Sequence, residues 1–316
     1  MNMAEPLNWE REGRDWPNRE ASQFVVAGAD RLRWHVQTMP RKPDTTKPTV
    51  LLVHGTGAAT HSWRGLMPLL ASKFNVIAVD LPGHGFTESP PSHGFSLPQM
   101  AASLSALLKA MSVAPQIVVG HSAGAAILAR MCLDKLITPQ HLVSLNGALL
   151  PLSGFAGELF SPIAKVLSRS SLVPKLFAWR ASDPQILRRL LDGTGSRIDD
   201  TGAELYGTII RNAQHAAAAL EMMAQWDLRP LARDLPKLSE RDLEITLVVG
   251  ENDKTVSPNE ANRVKAMLPK ATIVTLPGQG HLAHEESPQQ TFDLILNLPI
   301  ATIAAPSSPL ATSKHG

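Results

Sequence analysis

One cysteine in 316 residues rules out an internal disulfide. That residue, Cys132, falls in an apolar stretch, and the sequence predicts a buried, unreactive thiol in a reducing compartment. The first twenty residues are polar and charged with no apolar core, so a secretory signal is not expected there and the chain should stay in the cytoplasm. No uninterrupted apolar run is long enough to cross a bilayer, and the tail from Ile295 to Gly316 is broken by Pro299, Pro306 and Pro309. Residues 1–19 and 301–316 read as flexible termini. With 30 basic and 28 acidic side chains and no long Lys/Arg block, nothing points to nucleic acid. The histidines and carboxylates form no H-E-x-x-H pattern, paired cysteines are absent, and no phosphate-binding glycine loop appears. Neither a metal nor another cofactor is expected. Internal repeats are also lacking.

What is present is an alternation of apolar runs with helical patterns. A first hairpin spans Phe24 to Gln37, turning at Gly28-Ala29-Asp30. Continuous apolar strands follow at Thr49 to Val53, Val76 to Val79, Gln116 to Val119, His141 to Leu145, Glu244 to Val249 and Thr272 to Leu276. Strands of that kind belong to a sheet covered on both faces. Between them lie helical patterns over Trp63 to Ala71, Leu97 to Met111 and Ala123 to Leu136. The fold class is therefore α/β, a doubly wound, mostly parallel sheet. The alternation stops between Leu149 and Leu235, where helical patterns appear around Phe155 to Leu167, Pro184 to Leu191, Ala203 to Arg211 and Ala216 to Trp226. We read 20–148 and 236–300 as one core, with 149–235 inserted as a helical cap over the C-terminal strand ends, where it would exclude water from a site.

The chemistry centres on Gly120-His121-Ser122-Ala123-Gly124, placed between a strand and a helix. In a nucleophile elbow the central residue is forced into strained angles, and small neighbours let strand and helix close around it. Such an elbow needs an acid and a base later in the chain. Asp253, in the loop after the strand ending at Val249, is the candidate acid; Glu251 is its nearest rival, and capping of the helix near Ser257 is the plainer explanation for Asp253. His281, in Gly278-Gln279-Gly280-His281, is the candidate base, ahead of His284. Oxyanion donors would be the backbone N–H of Ala123 and that of Thr56, with Gly57 in reserve. His54 should brace its loop, and Asp80 and His84 should hold a turn by side-chain hydrogen bonds. A serine at the elbow points to acyl-serine chemistry on an ester, amide, thioester or C–C bond.

With these motifs in place, residues 20 to 297 resemble the α/β-hydrolase fold. The stretches Asp15-Trp16-Pro17-Asn18, His54-Gly55-Thr56-Gly57-Ala58-Ala59-Thr60-His61-Ser62-Trp63, Ser144-Leu145-Asn146-Gly147-Ala148 and Trp226-Asp227-Leu228-Arg229-Pro230-Leu231, together with the elbow and Ala125 to Met131 after it, resemble the BchO family of magnesium chelatase accessory proteins. That resemblance implies a role in bacteriochlorophyll biosynthesis near magnesium insertion, and association with the chelatase. From Ser161 to Arg189 the sequence carries Lys165, Arg169, Lys175, Arg180, Arg188 and Arg189 against the single acid Asp183, interleaved with Leu167, Leu172, Val173, Leu176, Phe177 and Trp179. Such a surface suits a small-molecule partner such as a porphyrin, or an anionic membrane face to which the protein would be peripheral. An ordinary helix pair with a solvated basic face explains it as well.

Overall fold

Five consecutive runs of β-branched and aliphatic residues are buried on both faces and so demand cover from two layers of helices. A computed structural model describes residues 5–91, 94–151 and 172–299. Its strands are β1 (Ser22–Ala27), β2 (Leu32–Met39), β3 (Thr49–Val53), β4 (Asn75–Val79), β5 (Ile117–His121), β6 (His141–Leu145), β7 (Glu244–Gly250) and β8 (Thr272–Leu276). They form one eight-stranded sheet in the order β1-β2-β4-β3-β5-β6-β7-β8. From β4 to β8 every pairing is parallel, while β2 joins β1 and β4 antiparallel.

The helices around the sheet are α1 (Leu66–Ala71), α2 (Leu97–Ala110) and α3 (Ala123–Leu133), then α4 (Leu172–Arg180), α5 (Pro184–Asp192), α6 (Asp200–Ile210), α7 (Ala213–Gln225) and α8 (Arg229–Asp234). After β7 come α9 (Glu260–Met267), α10 (Ala283–Glu286) and α11 (Pro288–Leu296). Alternation along β3 splits the core in two: Leu51 and Val53 pack with α2 and α3, whereas Val50 and Leu52 pack with α1 and α11. On α2, Leu97, Met100, Ala101, Leu104 and Leu108 recur at helical spacing and are buried together. Cys132 lies on α3, and burial pushes its thiol up to about 12, in accord with an inert residue.

Strand order locates the site. From β3 the chain goes to β4 on one side, then crosses by α2 to β5 on the other. The loops leaving β3 and β5 therefore diverge and open a crevice at their C-terminal ends, where doubly wound sheets bind ligands.

Sequence and structure differ in instructive places. Helices α4 and α8 are absent from the sequence's helical patterns, and each contains a proline; Pro230 lies in the first turn of α8, where no intrahelical N–H is needed. The helix expected from Trp63 begins at Leu66, behind a 3-10 turn at Thr60–Trp63. The helix expected at Phe155 to Leu167 lies outside the described residues, as do 301–316 and much of the first part of the expected cap. Residues 5–19, read as a flexible extension, are instead packed down. Trp16 is 2% exposed and donates its indole N–H to Thr60 Oγ1 at 3.0 Å. Trp9 lies against Phe24, His35 and Phe86, with the Arg19 guanidinium 4.4 Å from its ring. Polar neighbours masked these two anchors in the sequence.

Asp80, at the end of β4, ties this periphery to the crevice. Its Oδ1 accepts from Thr60 N–H at 2.7 Å, and its Oδ2 accepts from Phe86 N–H at 2.9 Å and from His35 Nδ1 at 2.8 Å. Burial opposes the charge, but the His35 imidazole and these donors overcome it and hold the carboxyl well below its usual range. Asp80→Asn would turn an amide N–H₂ toward N–H donors. We expect it to lower the free energy of urea unfolding at neutral pH by about 3 kcal/mol; an unchanged midpoint would remove Asp80 from this role.

Candidate active site

The elbow forms where β5 meets α3. Ser122 has φ 51° and ψ −117°, a region in which a non-glycine residue is strained. Both flanking glycines are there for room. A Cβ on Gly120 would lie 2.4 Å from Ala125 N, and one on Gly124 would lie 2.2 Å from Val53 O. The second contact matters most, because it presses the N-terminus of α3 against the end of β3.

On the facing loop, His54 braces the turn as expected. Its Nδ1 donates to Gly55 O at 2.7 Å and its Nε2 accepts from Leu81 N–H at 2.9 Å, which fixes a neutral tautomer. Thr56 and Ala123 each keep a backbone N–H without an acceptor among the described residues. The inserted helices close over this loop through α7: Met222 Sδ accepts from Thr56 Oγ1 at 3.5 Å, and His215 Nε2 lies 3.3 Å from Gly57 O.

Asp253 and His281 meet. His281 Nδ1 lies 2.8 Å from Asp253 Oδ2, and the two side chains are 8% and 1% exposed. The other carboxylate oxygen accepts from Thr255 N–H at 2.7 Å and Val256 N–H at 2.9 Å, so Asp253 fastens its own turn; it caps no helix, since the next one begins at Glu260 behind Asn259. Glu251 accepts from Gly278 N–H instead and faces solvent. His284 is fully buried against Trp63 and His121, and burial, with His281 and Arg64 nearby, pushes it down to about 3. Ser122 makes no side-chain hydrogen bond among the described residues; the ring of its neighbour His121 lies 4.7 Å from that of His281, centroid to centroid.

Three features that position the pair were not recognised in the sequence. Asn146, at the end of β6 with φ 46°, donates through Nδ2 to Gly280 O at 2.9 Å and His281 O at 2.6 Å, while its Oδ1 accepts from Gly250 N–H at 2.6 Å. One amide thus holds both loops; a carboxylate there would supply no donor. Secondly, the Thr194–Ile198 segment reaches both loops: Thr194 O accepts from Lys254 N–H at 3.1 Å, and Ser196 Oγ accepts from Leu282 N–H at 2.8 Å. Thirdly, Arg64 pairs with Glu285 and with Asp199, and Tyr206, the sole tyrosine of the chain, donates to Glu285 at 2.7 Å. Burial pushes the Glu285 carboxyl up to about 7 against the pull of Arg64. Only the paired residue types hinted at that network, and their long separation hid it.

Buried imidazoles crowd the crevice: His54, His61, His84, His121, His215 and His284. Among the described residues no group of three or more metal-ligating side chains is arranged to hold an ion. Burial is the first cause that holds all six below the ordinary histidine range, taking His215 to about 4.

Two outcomes follow. Asn146→Asp should lower unfolding stability by about 3 kcal/mol at neutral pH, with part regained in mild acid as the new carboxyl protonates; urea titrations at two pH values check this. Because the unfolded chain protonates its histidines below about 6.5 and the folded rings resist until about 4 or 3, stability should be complete above that upper value and fall as pH drops. The slope contributed is about 1.4 kcal/mol per pH unit for each such ring. A urea midpoint that stays flat between these values would contradict the neutral, buried assignment.

Comparison with known proteins agrees with this architecture. The model of the alpha/beta hydrolase family matches residues 50–294. The chain is 35% identical over 283 residues, 90% of its own length and 96% of the relative's, to the magnesium-chelatase 30 kDa subunit of Rhodobacter capsulatus. It is 26% identical over 275 residues, covering 84% of this chain and 93% of the other, to the uncharacterized hydrolase YugF of Bacillus subtilis. Among solved structures, an alpha/beta hydrolase fold protein from Burkholderia ambifaria has a TM-score of 0.71 at 20% identity, over 93% of this chain and 99% of that one, a likeness of fold. The chain belongs to the α/β hydrolase family and is related over nearly its whole length to a magnesium-chelatase subunit.

Proposed function

We propose that the protein is a serine hydrolase in which Ser122, Asp253 and His281 act together on an acyl bond. The observation that carries this is the buried 2.8 Å hydrogen bond from His281 Nδ1 to Asp253 Oδ2. With Nδ1–H donated to the carboxylate, Nε2 holds the lone pair and serves as the base. Nε2 takes the Ser122 proton as Oγ adds to the substrate carbonyl. The oxyanion formed accepts from the N–H groups of Thr56 and Ala123, and the N-terminus of α3 adds its positive dipole. The imidazolium, stabilised by Asp253, returns its proton to the leaving group, and an acyl-serine remains. Water, deprotonated by the same Nε2, then releases the acid and regenerates Ser122. The inserted helices form the cap, with α7 covering the oxyanion loop.

The magnesium-chelatase relative and the resemblance to the BchO family support a setting in bacteriochlorophyll biosynthesis; the substrate we propose there is an ester of a tetrapyrrole or lipid. That same relative favours a second reading, a scaffold that binds a porphyrin or assists the chelatase without turnover.

A fluorophosphonate probe distinguishes the two. The wild type should be labelled at Ser122, Ser122→Ala should not be labelled at all, and Asp253→Asn should react about a thousandfold or more slowly because the base loses its tautomer and orientation. A folded wild type inert to the probe and to a panel of p-nitrophenyl and porphyrin methyl esters would overturn the hydrolase reading.

A further inference from the structure

Helix α4 reads Leu-Val-Pro-Lys-Leu-Phe-Ala-Trp-Arg and carries no acidic residue. Of the large hydrophobic side chains exposed among the described residues, the three most exposed all lie on it: Leu172 at 72%, Trp179 at 67% and Leu176 at 58%. Their positions are ordered. At about 100° per residue these three fall within an arc of about 60°, with Lys175 about 40° beyond one edge and Arg180 about 40° beyond the other. The opposite face, carrying Pro174 and Ala178, is buried, and α4 packs there on α7.

We propose that this ridge docks the protein on the surface of an anionic phospholipid bilayer. A leucine–tryptophan crest flanked on both sides by cations matches an interface in which apolar groups enter the acyl boundary while long basic side chains extend to the phosphates. Charge argues for anionic lipid, since Lys175 and Arg180 are both exposed and the helix offers no acid to pair with them. No helix among the described residues is long and apolar enough to cross a membrane, so docking by α4 is peripheral. The inner face has a role as well. Through α7, whose Met222 and His215 touch the Thr56–Gly57 loop, a docked α4 stands one helix away from the candidate oxyanion donors.

Vesicle flotation of the full chain tests this without using Ser122 chemistry, so its result is independent of the hydrolase reading. Wild type should float with equimolar phosphatidylcholine–phosphatidylglycerol vesicles and about tenfold less with phosphatidylcholine alone. Leu176→Glu with Trp179→Glu should abolish flotation on both. Lys175→Glu with Arg180→Glu should remove the anionic preference. These side chains are exposed, and unchanged urea midpoints verify that the variants fold. Failure of the wild type to float, flotation indifferent to either pair of changes, or a concentration-dependent dimer lost in the Leu176/Trp179 variant while flotation persists would each overturn the proposal.

Discussion

Everything at the crevice depends on one close approach, that of the first turn of α3 to the last carbonyls of β3. The gap leaves no space for a Cβ at residue 124, since one would lie 2.2 Å from Val53 O. This contact brings together two backbone segments that lead in opposite directions from neighbouring strands, and a Cβ on Gly55 would likewise lie 2.9 Å from Ser122 Cβ. The N–H groups of Thr56 and Ala123, which have no acceptor among the described residues, follow from it, because a helix start and a loop facing each other across a switch point have donors left over. The strained angles at Ser122 are the local cost, and the sheet on either side is stiff enough to hold them.

A second level of order is polar and buried. Asp80 fastens the loops after β4 and around Thr60, Asn146 fastens those carrying Asp253 and His281, and Glu285 with Arg64 and Tyr206 fastens the inserted helices to the segment after His281. Each of these groups is satisfied through two or three bonds, which is the condition under which burial of polarity specifies a geometry without net loss. The histidines behave differently. His54, His61, His84, His121, His215 and His284 are held neutral by burial and pack as aromatic rings around the crevice, with contacts such as His61 on Tyr206 and His121 on His284.

The sheet was legible because its strands are continuous apolar runs, and their ends differ from expectation by a residue or two. Ser122, Asp253 and His281 could be picked out since each lies in a turn at a strand's end, where short-range grammar is strong, and the last two indeed meet. What was hidden depends on distance. Asn146 carries no local signal in the sequence, because its value comes from carbonyls 134 and 135 residues away. The packing of Trp9 and Trp16 was hidden by charged neighbours, while α4 and α8, each containing a proline, are absent from the sequence's helical patterns.

The separation of Asn146 from its partners also orders the assembly of the chain. β5, the elbow and β6 are complete by residue 146, and their parallel pairings need only the chain already made. The amide of Asn146 must then wait for Gly250, Gly280 and His281, beyond all the inserted helices, so closing that loop comes at an entropy that grows with the length between. As synthesis proceeds from the N-terminus, the strained serine is in place well before His281 is made. During synthesis the Ser122 turn thereby precedes the His281–Asp253 pair, which can close only once the last strand and its loop have joined the sheet.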